Sequence, residues 1–573
     1  MEKKKLVIIG GVAGGASCAA RARRMSEQIE IILLDRGPYV SFANCGLPYY
    51  VGNVIEQDKA LLVATPELFR DRFHIEVRIE NEVLSINPKT KTLEIKELAS
   101  GHIYTQDYDA LLLSPGAAPI RPPLPGIELP GIFALRTIPD SRAIKKWIAA
   151  RNVSEAVVVG GGFIGLEMAE NLTGLDIRVT LVEAQTQLLA PFDPEMACYL
   201  SSNLKENRVD LYLEESVIGF EQNTDNSLNV CLKNGSKIKT GLVLLGIGVK
   251  PESGLAKTAG LVLGKRGGIR VNDLMQTSDS SIWAVGDVVE VLDYVTGEET
   301  LVPLAGPANR QGRIAADIIV QTLSGSQNHF PQRNYRGTQG TSICQAFDLV
   351  AACTGINEKT LKHLGRTDYE KVYLHPGHHV NYYPGAKPIH LKLLFSVPEG
   401  KILGAQAIGE QGIEKRIDTL AMAIQLGATV FDLEEAELCY APQFGAAKDP
   451  VNLAGMIAAN MLRGEAPLGH WEEILTHPEK IILDVRDSIE YTAFHLPNAI
   501  NIPLHQIRDR MEELPKDREI WVHCGVGQRS YYAVRTLRQY GYDAKNLSGG
   551  LMTFQAVYPC LEKKNKASSE TIK

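Results

Sequence analysis

Ala156-Val157-Val158-Val159-Gly160-Gly161-Gly162-Phe163-Ile164-Gly165 is a short apolar run that breaks into glycine. The run reads as a buried strand, and Gly160, Gly162 and Gly165 fill every glycine position of G-x-G-x-x-G. A helix is expected through Leu166 and Glu170, then a strand from Val179 to Val182 that ends at Glu183. Glycine lets the backbone approach a pyrophosphate, and the helix N-terminus turns unpaired N–H groups toward it. A carboxylate at the end of the second strand accepts bonds from both ribose hydroxyls and repels a 2′-phosphate. Ala184, Gln185 and Thr186 supply no arginine to offset that repulsion, so NADH is expected over NADPH.

The same order of elements opens the chain. Leu6 to Ile9 reads as a buried parallel strand, followed by Gly10-Gly11-Val12-Ala13-Gly14-Gly15, a helix from about Ala16, and a strand from Ile29 to Leu34 ending at Asp35. Val12 stands where the middle glycine of the pattern falls. Two such units imply two dinucleotides. The candidate contacts are Gly10, Val12, Ala13, Gly14, Gly15 and Asp35 in one, and Gly160, Gly162, Gly165 and Glu183 in the other.

Between them lies Ser41-Phe42-Ala43-Asn44-Cys45-Gly46-Leu47-Pro48-Tyr49-Tyr50. Phe42 and Tyr49 lie one helical turn from Cys45, and Val40 and Tyr50 five residues away; none is a cysteine. No local dithiol can form. Cys45 reads as a lone redox thiol placed against a flavin, needing a second sulfur from outside.

With 573 residues the chain is too long for one core, and about four folding units are expected. A formal charge of -7 argues against a nucleic-acid surface as its main purpose. The nine cysteines have no C-x-x-C spacing, which disfavours zinc and thioredoxin-like sites and fits a reducing cytosol. His375, His378 and His379 lie in a stretch that does not read as helix and has no nearby carboxylate, so no metal site is expected. Four apolar residues before Gly10 are too few for a signal-peptide core, and no run is long enough to span a bilayer. A cytoplasmic protein is expected.

Leu111-Leu112-Leu113-Ser114-Pro115-Gly116-Ala117 and Ile282-Trp283-Ala284-Val285-Gly286-Asp287 are two further strands that run into turns. With the paired fingerprints they resemble the flavoprotein disulfide reductases with two dinucleotide-binding domains. That resemblance implies FAD, with Asp287 on its ribityl chain, an FAD domain interrupted by the NAD unit, and a homodimer. Gly340 to Ile343 and Leu391 to Phe395 read as strands, and Gly412 to Leu426 as an amphipathic helix, in keeping with an interface domain.

The run around Cys45 is similar to that of the coenzyme A disulfide reductase branch. So are Tyr382-Tyr383-Pro384-Gly385-Ala386 and Cys439-Tyr440-Ala441-Pro442-Gln443-Phe444-Gly445. The resemblance implies Cys45 as redox nucleophile and coenzyme A as substrate carrier. It places Ser41 and Asn44 at the thiol end, and Ser17, Arg21 and Arg24 at the nucleotide, with Asn309 and Lys448 adding contacts. Tyr382 and Tyr440 of a partner subunit would face Cys45; Tyr383 is the alternative to Tyr382. Arg21 and Arg24 share one helix face and suit phosphates. Both phenols can protonate a departing thiolate at neutral pH.

After Arg463 to Gly469 a new α/β pattern starts. Strands are expected at Ile481 to Arg486 and Ile520 to His523, and the second runs into Cys524-Gly525-Val526-Gly527-Gln528-Arg529-Ser530 and a helix. This resembles a rhodanese domain. Successive backbone N–H groups ahead of the helix favour an anion on Cys524, a thiolate or a persulfide, and Arg529 adds positive charge.

The expected fold is α/β: two Rossmann-like domains for FAD and NAD, an α+β dimerisation domain and a C-terminal α/β rhodanese domain. The divisions expected are 1–118 and 249–325 for FAD, 119–248 for NAD, 326–455 for dimerisation, 456–470 for a linker, 471–560 for rhodanese and 561–573 for a disordered tail. The expected activity is NADH-driven reduction of coenzyme A persulfide or polysulfide, with Cys524 handling sulfane sulfur. Plain coenzyme A disulfide reduction, NADH oxidase or peroxidase chemistry through a Cys45 sulfenic acid, and a redox-sensing scaffold remain open alternatives.

Overall fold

A computed structural model of the chain describes residues 3–325, 334–474, 477 and 479–558. The expected tail at 561–573 and the division placed at 326 lie outside the described residues. The chain forms two compact units, Met1–Gln185 with Arg208–Gly340, and Thr186–Asn207 with Thr341–Lys573.

The first unit holds two five-stranded parallel sheets of the same design. One runs Ile282–Ala284, Ala110–Leu113, Lys5–Ile9, Glu30–Leu34, Glu76–Arg78. The other runs Asp210–Tyr212, Arg178–Val182, Glu155–Val159, Leu242–Leu245, Ile132–Ala134. Their central strands are continuous apolar runs, as a sheet covered on both faces demands; Leu6, Val7 and Ile8 are fully buried. Each sheet has an antiparallel three-stranded companion, Asn81–Asn87, Thr92–Glu97 and Ile103–Asp107 for the first, Val217–Gln222, Leu228–Leu232 and Lys237–Thr240 for the second. The chain passes between the halves through two paired strands, Ala117–Pro119 and Val249–Pro251.

The first helix spans Ala13–Met25, one turn earlier than the residue pattern indicates. Val12 is extended at φ −94 and serves as N-cap, and Ala16 N already donates to Val12 O at 3.0 Å.

The second unit contains an antiparallel sheet ordered Ser342–Ala346, Leu349–Gly355, Ile402–Gly409, Ile389–Ser396, Tyr369–Leu374. Its first strand starts at Ser342 rather than Gly340, whose φ of +65 breaks the extended run. The helices Ile413–Leu426, Val430–Glu435 and Pro450–Leu462 accompany it. Residues 456–462 continue the last of these helices and are not linker. Asp449 starts that helix by accepting from Val451 N, with Pro450 at the first position.

A parallel sheet follows, ordered Leu468–Gly469, Ala544–Leu547, Ile520–His523, Ile481–Asp484, Ile500–Asn501. The strand from Ile481 ends at Asp484, short of Arg486, because Asp484 Oδ1 accepts from Arg486 N at 3.0 Å and turns the chain. Thr186–Asn207, inside the 119–248 span in sequence, belongs to this second unit and contributes the helix Pro194–Glu206.

Candidate functional site

Both glycine turns are built alike. Gly10 and Gly160 sit at φ +94 and +106, in the region that only glycine occupies freely. Neither following helix, Ala13–Met25 or Phe163–Thr173, has a side-chain cap, which leaves its first N–H groups to an anion. Asp35 accepts from Gly11 N at 2.9 Å and from Gly37 N at 2.8 Å. Glu183 accepts from Gly161 N and from Gln185 N, each at 2.7 Å. Each carboxylate is thereby fixed at the tip of its second strand, with lone pairs left for ribose hydroxyls. Burial pushes the Asp35 carboxyl up, while its two backbone bonds, Arg36 and Arg136 pull it back.

The strand Ile282–Ala284, which the chain leaves toward Asp287, comes to the first turn. A methyl on Gly14 would press on Val285 at 2.8 Å and on Ser114 Oγ at 3.1 Å, so the turn and both connectors meet at one point. Burial raises the Asp287 carboxyl, with Arg136 opposing.

Cys45 lies in a 3₁₀ turn, Asn44–Gly46, that leads into the helix Leu47–Val51. Ser41 holds a left-handed backbone, φ +50, pinned by its N–H to Gly11 O at 2.8 Å and by its carbonyl accepting from Val63 N at 2.8 Å. That strained residue ties the Cys45 segment directly to the first glycine turn. Cys45 Sγ approaches Asn44 Oδ1 at 3.9 Å. The thiol is exposed, yet the surrounding walls, then Glu167, then Asp287, raise its pKa.

Glu167 is a residue the sequence reading missed. It stands on the first turns of the helix Phe163–Thr173, with Oε1 3.5 Å from Tyr49 OH. Desolvation raises its carboxyl to about 7. The available signal was an acidic residue two places after Gly165, between Leu166 and Met168, both fully buried.

Of the residues expected to bind coenzyme A, Ser17, Arg21 and Arg24 share the helix Ala13–Met25. Ser17 Oγ donates to Asn309 Oδ1 on the helix Ala305–Ser324. Arg21 Nε donates to Asp317 Oδ1 of that helix at 2.6 Å, so its charge is already paired. Arg24 is exposed. Lys448, exposed, belongs to the second unit. Tyr382 and Tyr440 are brought together there, their hydroxyls 2.7 Å apart and both rings exposed. Tyr383 instead sets its ring edge-on to His379 at 5.4 Å.

In the C-terminal domain Cys524 is fully buried, and its sulfur accepts from Gly527 N at 3.2 Å and Ser530 Oγ at 3.5 Å. Arg529 donates to both oxygens of Glu490, at 2.6 and 2.8 Å. Arg486 closes on buried Asp484 at 2.7 Å.

The chain matches the family model described as pyridine nucleotide-disulphide oxidoreductase over residues 4–312. The chain belongs to that family. The oxidoreductase also matches the family's dimerisation domain over 341–449, which points to a homodimer, and a rhodanese-like domain over 470–557. It is 33% identical over 458 residues to the coenzyme A disulfide reductase of Staphylococcus haemolyticus, covering 80% of this chain and all of that one. Reduced CoADR-RHD from Bacillus anthracis is similar at 47% identity with TM-score 0.93, over 98% of this chain and 99% of that one. A NAD-dependent persulfide reductase from A. fulgidus is similar at 35% identity with TM-score 0.87, over 96% and 99%.

FAD and NAD(H) are the cofactors of this family, and the uncapped helix starts with their fixed carboxylates fit two dinucleotides. Among the described residues one group of three carboxylates, Asp193, Glu195 and Glu358, converges as metal ligands do. Lys392 Nζ occupies its centre, within 2.9 Å of each. His375 and His390 bond each other through Nδ1 at 2.9 Å, while His378 accepts from Lys387 N at 2.9 Å. No helix is long and apolar enough to cross a membrane among the described residues.

Proposed function

We propose that this oxidoreductase reduces coenzyme A persulfide, and coenzyme A disulfide by the same chemistry, through Cys45 as its single redox sulfur. The observation that carries the reading is the isolation of Cys45. Its thiol is exposed in the turn Asn44–Gly46, and no cysteine lies within five residues to close a disulfide. The names of the similar enzymes supply the carrier of the second sulfur.

The Cys45 thiolate attacks the coenzyme-borne sulfur of the persulfide. The S–S bond breaks, hydrosulfide leaves, and a Cys45–coenzyme A mixed disulfide forms. Bound FAD and NADH supply the two electrons that cleave this disulfide. Cys45 returns as thiolate, and coenzyme A leaves as thiol with one proton. In this reading Ser17, Arg24 and Asn309 hold the coenzyme, Ser41 and Asn44 position its sulfur, and Arg21 braces the helix through Asp317. The paired hydroxyls of Tyr382 and Tyr440, from the partner subunit, hold the proton for the departing thiol. Glu183 selects NADH. Cys524 carries sulfane sulfur to the coenzyme.

The test is product analysis. Sulfide should appear one for one with NADH consumed when coenzyme A persulfide is supplied, and Cys45→Ser should lose at least 10²-fold of that rate. Rapid NADH consumption with oxygen or peroxide alone, at rates matching those with persulfide, would replace this reading with oxidase or peroxidase chemistry.

A further inference from the structure

The rim of the Cys524 loop is short of positive charge and rich in apolar surface. Gly525, Val526, Gly527 and Gln528 carry no charge between the cysteine and Arg529. The Arg529 guanidinium flanks Gly525, 3.8 Å from where a methyl on that residue would stand, so it is the cation at the mouth. Both its Nη atoms are spent on Glu490, and Asp487 lies 3.8 Å away. That pairing holds the Glu490 carboxyl below the usual carboxylate range, so it is ionised at neutral pH. The second local cation, Arg486, is spent on buried Asp484. His523, next to the cysteine and fully buried, is held neutral, its pKa lowered to about 4 mainly by desolvation. Two arginines therefore face three carboxylates, Asp484, Asp487 and Glu490.

Exposed apolar side chains stand in the loop and in the segments that carry this pair. Ile489, adjacent to Glu490 in sequence, is 84% exposed. Val526 within the loop is 38% exposed. Tyr532, 48% exposed, accepts from Gln528 Nε2 at 3.3 Å. An inorganic dianion such as thiosulfate would have to shed its hydration here with both arginines already bound to carboxylates. An uncharged organic arm would meet Ile489, Val526 and Tyr532 at no such cost.

We propose that the Cys524 loop takes its sulfur from an organic persulfide whose sulfur is borne on an uncharged arm, and discriminates against inorganic dianionic donors. The proposal deepens the reading of Cys524 as sulfane-sulfur carrier and rests on it. The Cys524 sulfur attacks the outer sulfur of the donor. The donor's S–S bond breaks, the carrier leaves as a thiol with the proton, and Cys524 is left as a persulfide. The transferred sulfur keeps its oxidation state, so no reductant enters the step.

The full-length holoenzyme bearing Cys45→Ser, without NADH, isolates the event. Loading is read as the mass gain of one sulfur on the Cys524 peptide, with N-acetylcysteamine persulfide as the uncharged donor and thiosulfate as the dianion. The organic donor should load at least tenfold faster. Val526→Lys, which places an unpaired cation on the rim, should raise thiosulfate loading about tenfold and leave the organic donor within about twofold. Equal or faster loading by thiosulfate in the Val526 protein overturns the proposal, as does a Val526→Lys protein that still loads the organic donor but shows no gain with thiosulfate. Failure of both donors to load Cys524 overturns it together with the carrier reading, whereas NADH-driven sulfide release at Cys45 is measured separately and stands or falls alone.

Discussion

Glu167 couples its own titration to that of the Cys45 thiol. Its carboxyl is raised to about 7 by desolvation, and it stands among the groups that raise the Cys45 thiol. A carboxyl whose folded value exceeds its ordinary 4.5 binds a proton that the unfolded chain releases. Its contribution to stability is full below pH 4.5 and is lost as pH rises through about 7. Glu167→Gln removes that loss, so the gap in Tm between pH 5 and pH 8 should narrow in differential scanning fluorimetry. The same substitution removes a negative charge beside Cys45. Iodoacetamide should then alkylate Cys45 at pH 8.5 about fivefold faster than in the parent protein. An unchanged alkylation profile would mean that Glu167 does not act on the thiol.

At the scale of the element, the glycine turns were the most legible parts of the chain. The left-handed backbone at Gly10 and Gly160 and the bare starts of the helices that follow are local properties. A ten-residue window therefore contains their cause. The fixed carboxylate is also local, since Glu183 reaches back only to Gly161. Reading Glu183 as a selector of NADH gives a prediction at this scale. Glu183→Ser should raise kcat/KM for NADPH relative to NADH by about tenfold or more, through loss of repulsion toward a 2′-phosphate. Initial rates with each dinucleotide and one sulfur substrate decide it. What the sequence could not disclose came from elements far apart. Arg21 finds Asp317 almost three hundred residues away, so its pairing leaves no trace in the local pattern. The motif around Cys524 was legible, yet the closure of Arg529 on Glu490, which sets the charge of its rim, was not. Glu167 carries an acidic signal in an apolar helix, but its meaning depends on Tyr49 packing against it.

Across the molecule, the second unit places its buried polar groups where three separate stretches of chain join. Lys392, fully buried, bonds Asp193 and Glu195 from the helix Pro194–Glu206 region and Glu358 from the interface domain. Lys371 carries the network on to Glu472 of the rhodanese region at 2.6 Å. Replacing Lys392 by Met would leave Asp193 and Glu195 without their cation, while Glu358 keeps Lys371 and Lys362, and the unit should lose about 3–5 kcal/mol in denaturant melts.

A second joint lies beside it. His375 bonds His390 on one side and Thr553 Oγ1 of the rhodanese helix at 2.8 Å on the other, and Tyr199 stacks on His390 at 3.9 Å. Burial holds both imidazoles below their ordinary range, His390 at about 4. The folded state therefore refuses protons that the unfolded chain takes up from pH 6.5 downward. The joint's contribution is full above pH 6.5 and falls as pH drops toward 4. Hydrogen exchange should show the strand Tyr369–Leu374 and the helix Gly550–Val557 losing protection between pH 7 and pH 5, after correction for intrinsic exchange rates. His390→Phe keeps an aromatic ring against Tyr199 and cannot take a proton, so it should flatten that dependence. Protection that falls equally in both proteins would show that the two histidines do not govern how the rhodanese region is held.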